Sequence, residues 1–312
     1  MELVWIISLY YMATSWLSPF SILNFRTKMM SFASITRNNV LPVLRRSSQI
    51  QSTASLSSLV KLEEKQGYAV VSMQKPPVNS LSLEMIQALS QSLSELEKNK
   101  CKGIILTSAC PGIFSAGLDI REMYQPTDER LSQFWSSLQT LWLQLYGSKM
   151  ATVALINVSH APAGGCLLAI CCDSRIMLNG KSKIGLNETK LGIVAPSWFK
   201  DTFVNTIGVR QSERALQLGS LFNPEEALKI GLVDKLVPDM ETATVVAEAE
   251  LKEFLQIPAM ARYLSKMKIR EAALKGLAET READLNQFVN FAKTDAVQKG
   301  LGLYLQSLAK KN

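Results

Sequence analysis

Histidine is nearly absent from this 312-residue sequence, which contains only His160. A zinc site normally needs more nitrogen or sulfur ligands than one histidine supplies. A Ser–His–Asp triad would have to use that same residue, and the G-x-S-x-G motif that often carries such a serine is absent. We therefore expect no metal site and a structural role for His160.

Cysteine is scarce as well, and no two cysteines form a C-x-x-C pair. The five are Cys101, Cys110, Cys166, Cys171 and Cys172. The adjacent residues Cys171 and Cys172 lie in an apolar, helix-like stretch and are poorly placed to bridge each other. This pattern predicts small, buried, free thiols in a reducing compartment rather than a disulfide framework.

Acidic residues are missing from residues 3–62. Five basic residues and one glutamate before residue 57 supply four of the seven net positive charges. The remaining charge is spread out and lacks the clustered basic stripe of a nucleic-acid-binding protein. We therefore expect no nucleic-acid partner.

The N-terminal segment has two parts of different character. Residues 29–58 are rich in serine and threonine and carry three arginines, which is typical of a mitochondrial transit peptide and predicts the mitochondrial matrix. Residues 3–25 are mostly apolar but are interrupted by polar residues. We expect translation to begin effectively at Met29, with residues 1–28 an upstream extension. A membrane anchor over residues 3–25 is the alternative, although no stable membrane insertion is expected. Residues 1–57 are excluded from the folded part.

Strand-like and helix-like segments alternate in the folded part. Strands are predicted at residues 68–73, 103–107, 153–156 and 174–178, and helices at 83–97, 128–146 and 165–172. This alternation indicates an α/β fold with a mainly parallel sheet. From Asn223 onward the pattern is mostly helical, and Pro258 separates two helical blocks. The predicted domains are an α/β core over residues 58–257 and a C-terminal helical region over residues 258–312.

Two tight turns of small residues follow apolar runs. They are Ser115-Ala116-Gly117-Leu118-Asp119 and Ala163-Gly164-Gly165-Cys166-Leu167. The segment after each turn looks helical. Two such corners can aim two backbone N–H groups at one point, and a helix N-terminus adds partial positive charge there. This arrangement holds a carbonyl oxygen that becomes negative during a reaction.

These motifs carry a resemblance to a known family. Residues 114–120 (FSAGLDI) and 163–166 (AGGC) resemble the two oxyanion-hole segments of the enoyl-CoA hydratase/isomerase (crotonase) superfamily, and residues 184–196 resemble its isomerase branch. The resemblance implies a spiral of ββα units and a C-terminal helical region that forms homotrimer contacts. It implies an acyl-CoA thioester substrate in mitochondrial β-oxidation. No cofactor is implied, because coenzyme A arrives as part of the substrate.

The resemblance also implies residue roles. Glu188 would be the catalytic base, and the backbone N–H groups of Leu118 and Gly164 would form the oxyanion hole. Substrate binding would involve Ser115, Ala116, Gly117, Leu118, Asp119, Gly164 and Asn187. Independently of the resemblance, the apolar neighbours of Glu188 predict a raised carboxyl pKa, which suits proton transfer near neutral pH.

Leu167 favours an isomerase over a hydratase. The hydratases of this superfamily carry a second glutamate at that position, where it helps to hold a water molecule. Trp198 also departs from the glycine-rich segment usual in hydratases. The alternatives are an enoyl-CoA hydratase, another crotonase-type CoA enzyme, and a non-catalytic CoA- or RNA-binding paralogue.

Other features are less specific. The chain is one residue longer than its relatives over Val158, Ser159 and His160, just before the second turn. Candidate cations for the CoA phosphates are Arg121, Lys75 and Lys293. Residues 291–300 resemble the family's last helix, which closes over the nucleotide.

Overall fold

The computed structural model describes residues 58–157 and 160–309. Its strands are β1 (Val60–Glu64), β2 (Tyr68–Met73), β3 (Gly103–Ser108), β4 (Ala151–Ile156), β5 (His160–Pro162), β6 (Ser174–Leu178), β7 (Lys183–Gly185) and β8 (Lys235–Val237). Its α-helices are α1 (Leu83–Lys98), α2 (Asp128–Tyr146), α3 (Gly164–Cys171), α4 (Ser197–Ile207), α5 (Val209–Leu218), α6 (Pro224–Lys229), α7 (Met240–Gln256), α8 (Ala259–Ala292) and α9 (Asp295–Ala309). Two 3-10 turns cover Ile120–Glu122 and Glu188–Leu191.

The main sheet has the strand order β1-β2-β3-β4-β6-β8. β1 is antiparallel to β2, and every other neighbouring pair is parallel, beginning with Tyr68 opposite Gly103. All residues of β3 and β4 are buried. A parallel sheet is covered on both faces, which explains why these two strands are continuous apolar runs in the sequence.

A second, smaller layer lies beyond the ends of the long strands. β5 and β7 form a parallel pair, and isolated bridges join Leu81 to Leu118 and Ile184 to Phe222. A long strand, a short extended segment and a helix or helical turn therefore follow one another repeatedly. This succession matches the ββα units that the resemblance implies.

Helices cover both faces of the main sheet. On one face, Ala247 and Leu251 of α7 pack with Val153 and Leu155 of β4. On the other face, α1 and α2 enclose the larger apolar core. An apolar stripe of α2 is buried in this core and consists of Leu131, Trp135, Leu138, Leu141, Trp142 and Leu145.

The long helix α8 begins at Ala259, directly after Pro258, as the sequence predicts. It packs against α2 and α4. Its basic residues Lys266 and Arg270 form ion pairs of 2.8 Å and 3.2 Å with Asp173, and all three side chains are nearly buried. These contacts fix α8 to the segment between α3 and β6.

Several predicted elements need correction. The segment after the first turn forms only the 3-10 turn Ile120–Glu122, so a helix N-terminus follows the second turn alone. The helix predicted at 165–172 begins one residue earlier, at Gly164. β1 and the three-residue strands β5, β7 and β8 were not predicted, because so few residues show no readable alternation.

The five cysteines are free thiols, as predicted. Among the described residues, none of the helices is both long and apolar enough to cross a membrane. The predictions made for residues 1–57, and for the longer connection at Val158 and Ser159, lie outside the described residues.

Candidate active site

The two turns of small residues come together after the adjacent strands β3 and β4. A Cβ added to Gly117 would lie 2.9 Å from the backbone nitrogen of Gly164, and one added to Gly164 would lie 3.1 Å from that of Leu118. Side chains at either glycine would therefore fill the space beside these nitrogens. The structure brings the two predicted oxyanion donors together, with Leu118 in a loop and Gly164 at the start of α3.

The first loop is held from behind by its own polar groups. The buried Ser115 hydroxyl donates to the carbonyl of Asn79 at 2.8 Å and accepts from the N–H of Gly117 at 3.1 Å. The N–H of Ala116 donates to the carbonyl of Val78. The hydrogen bonds of Ser115 and Ala116 thus point into the protein, so their predicted role in substrate binding rests on shaping the loop.

Leu118 is fixed by its bridge to Leu81. The N–H of Leu81 donates to the carbonyl of Gly117, and the N–H of Asp119 donates to the carbonyl of Leu81. The Leu118 N–H lies between these two bonds and has no acceptor among the described residues. Because the bridge uses the Gly117 carbonyl and the Asp119 N–H, it leaves the Leu118 N–H available to a ligand.

The second loop places Gly164 at the start of α3. Ala163 precedes it with φ 48° and ψ −121°, a backbone conformation that is costly for an alanine. The Gly164 N–H also lacks an acceptor among the described residues, because the first N–H groups of a helix have no partner within the helix. This donor carries the positive end of the helix dipole.

His160 links the two loops through its backbone. It lies in β5, and its carbonyl accepts from the N–H of Phe114 at 3.0 Å. Its side chain is half-buried. This placement fits the structural role expected of the residue.

Glu188 opens the second 3-10 turn and is only 6% exposed. Both carboxyl oxygens are buried and have no hydrogen-bond partner among the described residues. Burial raises the pKa of this carboxyl to about 7, and only the nearby backbone N–H of Glu188 itself opposes the shift. The carboxyl is therefore an isolated acid–base group that titrates near neutral pH.

A narrow apolar cavity contains Glu188. It is lined by Leu118, Met123, Trp135, Glu188, Ile193, Val194, Pro196, Phe199, Phe288, Phe291, Ala292 and Val297. Leu118 and Glu188 therefore border the same space. Most of the remaining lining residues were not identified from the sequence, although Phe288, Phe291 and Ala292 share one face of a helix at spacings of three and four residues.

The other predicted binding residues lie around this cavity without all facing it. Asn187 precedes Glu188, and its side-chain oxygen is buried without a hydrogen-bond partner among the described residues. The Asp119 carboxylate accepts from the Ser80 hydroxyl at 3.0 Å and from the N–H of Arg121 at 3.2 Å. Asp119 therefore stabilises the first loop, and direct contact with a substrate remains a prediction for both residues.

Leu167 lies on α3 and is 1% exposed. No charged side chain among the described residues contributes to the pKa shift of Glu188. A second carboxylate next to Glu188 is thus missing from the described site, in keeping with leucine at position 167.

The three candidate cations for phosphate binding all pair with carboxylates of the chain. Lys75 and Arg121 lie 3.5 Å and 3.6 Å from Asp119, and Lys293 lies 2.6 Å from Asp128. The segment that resembles the family's last helix is also divided, since α8 ends at Ala292 and α9 begins at Asp295. The phosphate contacts therefore stay predictions.

Comparison with known proteins agrees with this geometry. The family model described as enoyl-CoA hydratase/isomerase matches residues 63–311. Enoyl-CoA delta isomerase 1, mitochondrial, from Mus musculus is 51% identical over 255 residues, covering 81% of this chain and 88% of the relative. The protein of the same name from Homo sapiens is 47% identical and covers 81% and 84%.

Solved structures give the same result. The crystal structure of human mitochondrial delta3-delta2-enoyl-CoA isomerase is 46% identical in sequence and superimposes with a TM-score of 0.79, covering 81% of this chain and 99% of that one. The fold expected from the resemblance is thereby confirmed. The chain belongs to the enoyl-CoA hydratase/isomerase family.

Proposed function

We propose that this chain is a Δ3,Δ2-enoyl-CoA isomerase, which converts 3-cis- or 3-trans-enoyl-CoA to 2-trans-enoyl-CoA. The observation that carries the proposal is Glu188, a buried carboxyl with a pKa of about 7 and no hydrogen-bond partner among the described residues, in a cavity that Leu118 also lines. A group with a pKa near the working pH can both accept and return a proton.

The reaction moves one proton and one pair of π electrons. Ionised Glu188 takes a proton from C2, and the electrons of that C–H bond delocalise over the thioester oxygen, C2 and, through the C3=C4 double bond, C4. The protonated Glu188 then delivers the proton to C4, and the double bond forms between C2 and C3. No atom is gained or lost, so the reaction requires neither a metal nor a redox cofactor, and coenzyme A is part of the substrate.

The thioester oxygen becomes negative in the intermediate and needs donors. The free N–H groups of Leu118 and Gly164 support this role, since they lie side by side after β3 and β4. Each such donor contributes about 2.7–4 kcal/mol to the transition state. The dipole of α3 adds to the effect at Gly164.

Hydration is the alternative reaction within the family. It requires a positioned water molecule, which two carboxylates hold better than one. Leu167 takes the place of the second carboxylate and is buried. This difference favours isomerisation. A non-catalytic CoA- or RNA-binding paralogue is the other alternative, and the two N–H groups of Leu118 and Gly164 together with Glu188 argue against it.

The proposal also covers the location and the assembly of the chain. The similar proteins named above are mitochondrial, and this chain acts in the mitochondrial matrix. The helical region from Ala259 onward forms homotrimer contacts in this proposal. Exposed apolar residues on α8, Met260, Leu264 and Ile269, support an interface there.

The test uses the purified full chain with two substrates. With 3-hexenoyl-CoA, absorbance of the conjugated enoyl thioester is expected to rise. With 2-hexenoyl-CoA, that absorbance is expected to stay constant. Loss of conjugation with the second substrate would indicate addition of water and a hydratase. No change with either would favour the non-catalytic alternative.

A further inference from the structure

The Asp284 carboxylate on α8 accepts hydrogen bonds from three side chains near the Glu188 cavity, two indoles and one amide. Its Oδ2 accepts from Nε1 of Trp135 at 2.7 Å and from Nε2 of Gln139 at 2.8 Å. Nε1 of Trp198 lies 3.3 Å from Oδ1. Hydrogen bonds to an ionised acceptor are stronger than neutral ones, so this carboxylate fixes the orientation of the indole of Trp135.

The indole of Trp135 is also held by ring contacts. It stacks on Phe288 with ring centroids 3.5 Å apart and an interplanar angle of 7°. Trp198 meets it edge-on at 5.6 Å. Gln139 is buried and donates a further hydrogen bond to the carbonyl of Arg281. The stacked pair of Trp135 and Phe288 is therefore a rigid element between α2 and α8.

This pair stands between two cavities. The inner cavity is narrow and contains Glu188. The outer cavity has a volume of about 450 Å³ and is lined by Asp284, Gln287 and Ser197 among others. Trp135 and Phe288 line both cavities. An acyl chain that enters the inner cavity and extends past Glu188 meets the stacked rings of Trp135 and Phe288, which also line the outer cavity.

We propose that Asp284 is a positioning residue that sets acyl-chain length, because it holds Trp135 as the end wall of the acyl site. The inference rests on the proposed function, since it assigns the inner cavity to the acyl chain. With Asp284 in place, short chains end at the wall. When the indole is released, the chain continues into the outer cavity and gains apolar contacts there.

The test measures binding of saturated acyl-CoA, which cannot isomerise. Dissociation constants of hexanoyl-CoA and dodecanoyl-CoA are determined by calorimetry for the full chain and its variants. For Asp284→Ala we expect the preference for dodecanoyl-CoA over hexanoyl-CoA to rise about tenfold, which corresponds to burial of roughly two further methylenes.

Three further variants make the result specific. Trp135→Phe removes the indole donor and replaces the indole by a smaller ring, so it should shift the preference in the same direction. This variant tests the proposal even if Asp284→Ala fails to fold. Asp284→Asn keeps an oxygen acceptor for Trp135 and should change the preference little. Glu282→Gln removes an exposed charge from the same helix and should leave both dissociation constants unchanged.

The outcomes separate this inference from the proposed function. Equal changes in affinity for both chain lengths, or no change in Asp284→Ala and Trp135→Phe, would overturn the role of Asp284. Conversion of 3-hexenoyl-CoA by the unmodified chain is measured alongside. Failure of that reaction would contradict the proposed isomerase activity. The chain-length preference in binding would still test whether Trp135 limits the length of the bound acyl chain.

Discussion

Gly117 and Gly164 pack so closely that a side chain at Gly117 would clash with the Gly164 backbone, and one at Gly164 would be tightly crowded. A Cβ on Gly117 would lie 2.9 Å from the Gly164 nitrogen, a distance that real Cβ contacts essentially never show. Gly117 also has a φ of 88°, which favours glycine. The close approach of these two segments, which follow neighbouring strands, places the N–H groups of Leu118 and Gly164 side by side. Neither N–H has an acceptor within the part of the chain that the structure describes.

Gly164→Ala is expected to lower kcat by about 100- to 1,000-fold, because the new methyl would lie 3.1 Å from the Leu118 nitrogen and displace the thioester oxygen. Steady-state kinetics with 3-hexenoyl-CoA measure the effect. Gly276→Ala is the matched control, since a Cβ there meets nothing within 4 Å. Equal activity in both variants would contradict the oxyanion role of Gly164.

Glu188→Gln is expected to lower kcat by about 1,000-fold or more, because the amide cannot accept the C2 proton. Binding of hexanoyl-CoA should remain, since glutamine has a similar size and the cavity is otherwise apolar. Kinetics and calorimetry on the same preparation distinguish the two effects. Unchanged turnover would rule out Glu188 as the base.

The pH dependence of kcat/KM should report the ionisation of Glu188. Because the base must be ionised and burial raises its pKa to about 7, kcat/KM is expected to rise with pH and level off above that value. A rate profile from pH 5 to 9 measures this. An inflection near pH 4.5, the ordinary value for glutamate, would show that the carboxyl is not desolvated in the free protein.

Stability should depend on pH in the opposite sense. The folded protein binds the Glu188 proton more tightly than the unfolded chain, so the favourable contribution is complete below pH 4.5 and is lost as pH rises through about 7. The loss is roughly 3 kcal/mol, an upper value for a shift of this size. Urea unfolding at several pH values should therefore show Glu188→Gln gaining stability relative to the unmodified chain above pH 7. A constant difference between the two proteins from pH 4.5 to 8 would contradict this.

Asp173 is expected to be important for stability. Asp173→Ala would leave Lys266 and Arg270 nearly buried without their carboxylate, which costs about 3–5 kcal/mol. Burial already lowers the pKa of Lys266, so neutralisation of this lysine would recover part of the loss. Urea unfolding measures the change. Glu213→Ala, which removes an exposed ion pair with Arg210, is the control and should change stability by less than about 1 kcal/mol.

The sequence predicts the long elements well. β2, β6 and α2 have the predicted bounds, because each shows a clear period or a continuous apolar run. Ser82 caps α1 by accepting from the N–H of Met85, so α1 begins at the predicted residue, Leu83. Short strands such as β5 and β7 could not be predicted, since their three residues pair only through the chain's path in space.

For the site as well, the sequence predicts some features and leaves others to the tertiary structure. The order of small residues around Gly117 and Gly164 predicts a polarised carbonyl, and the apolar neighbours of Glu188 predict a raised carboxyl pKa. The role of Glu188 as base is implied by the family resemblance. Tertiary structure decided which atoms face the cavity. The Ser115 hydroxyl, for example, is bonded to the Asn79 carbonyl and not directed at a ligand.

By itself, the sequence determined the alternation of strands and helices, the two turns of small residues and the apolar neighbours of Glu188, because periodicity and local residue type are properties of neighbours along the chain. Only the tertiary structure decided that Trp135 of α2 stacks on Phe288 of α8 and bonds Asp284. Contacts between residues about 150 positions apart depend on how α8 packs across α2, and no local pattern carries that information.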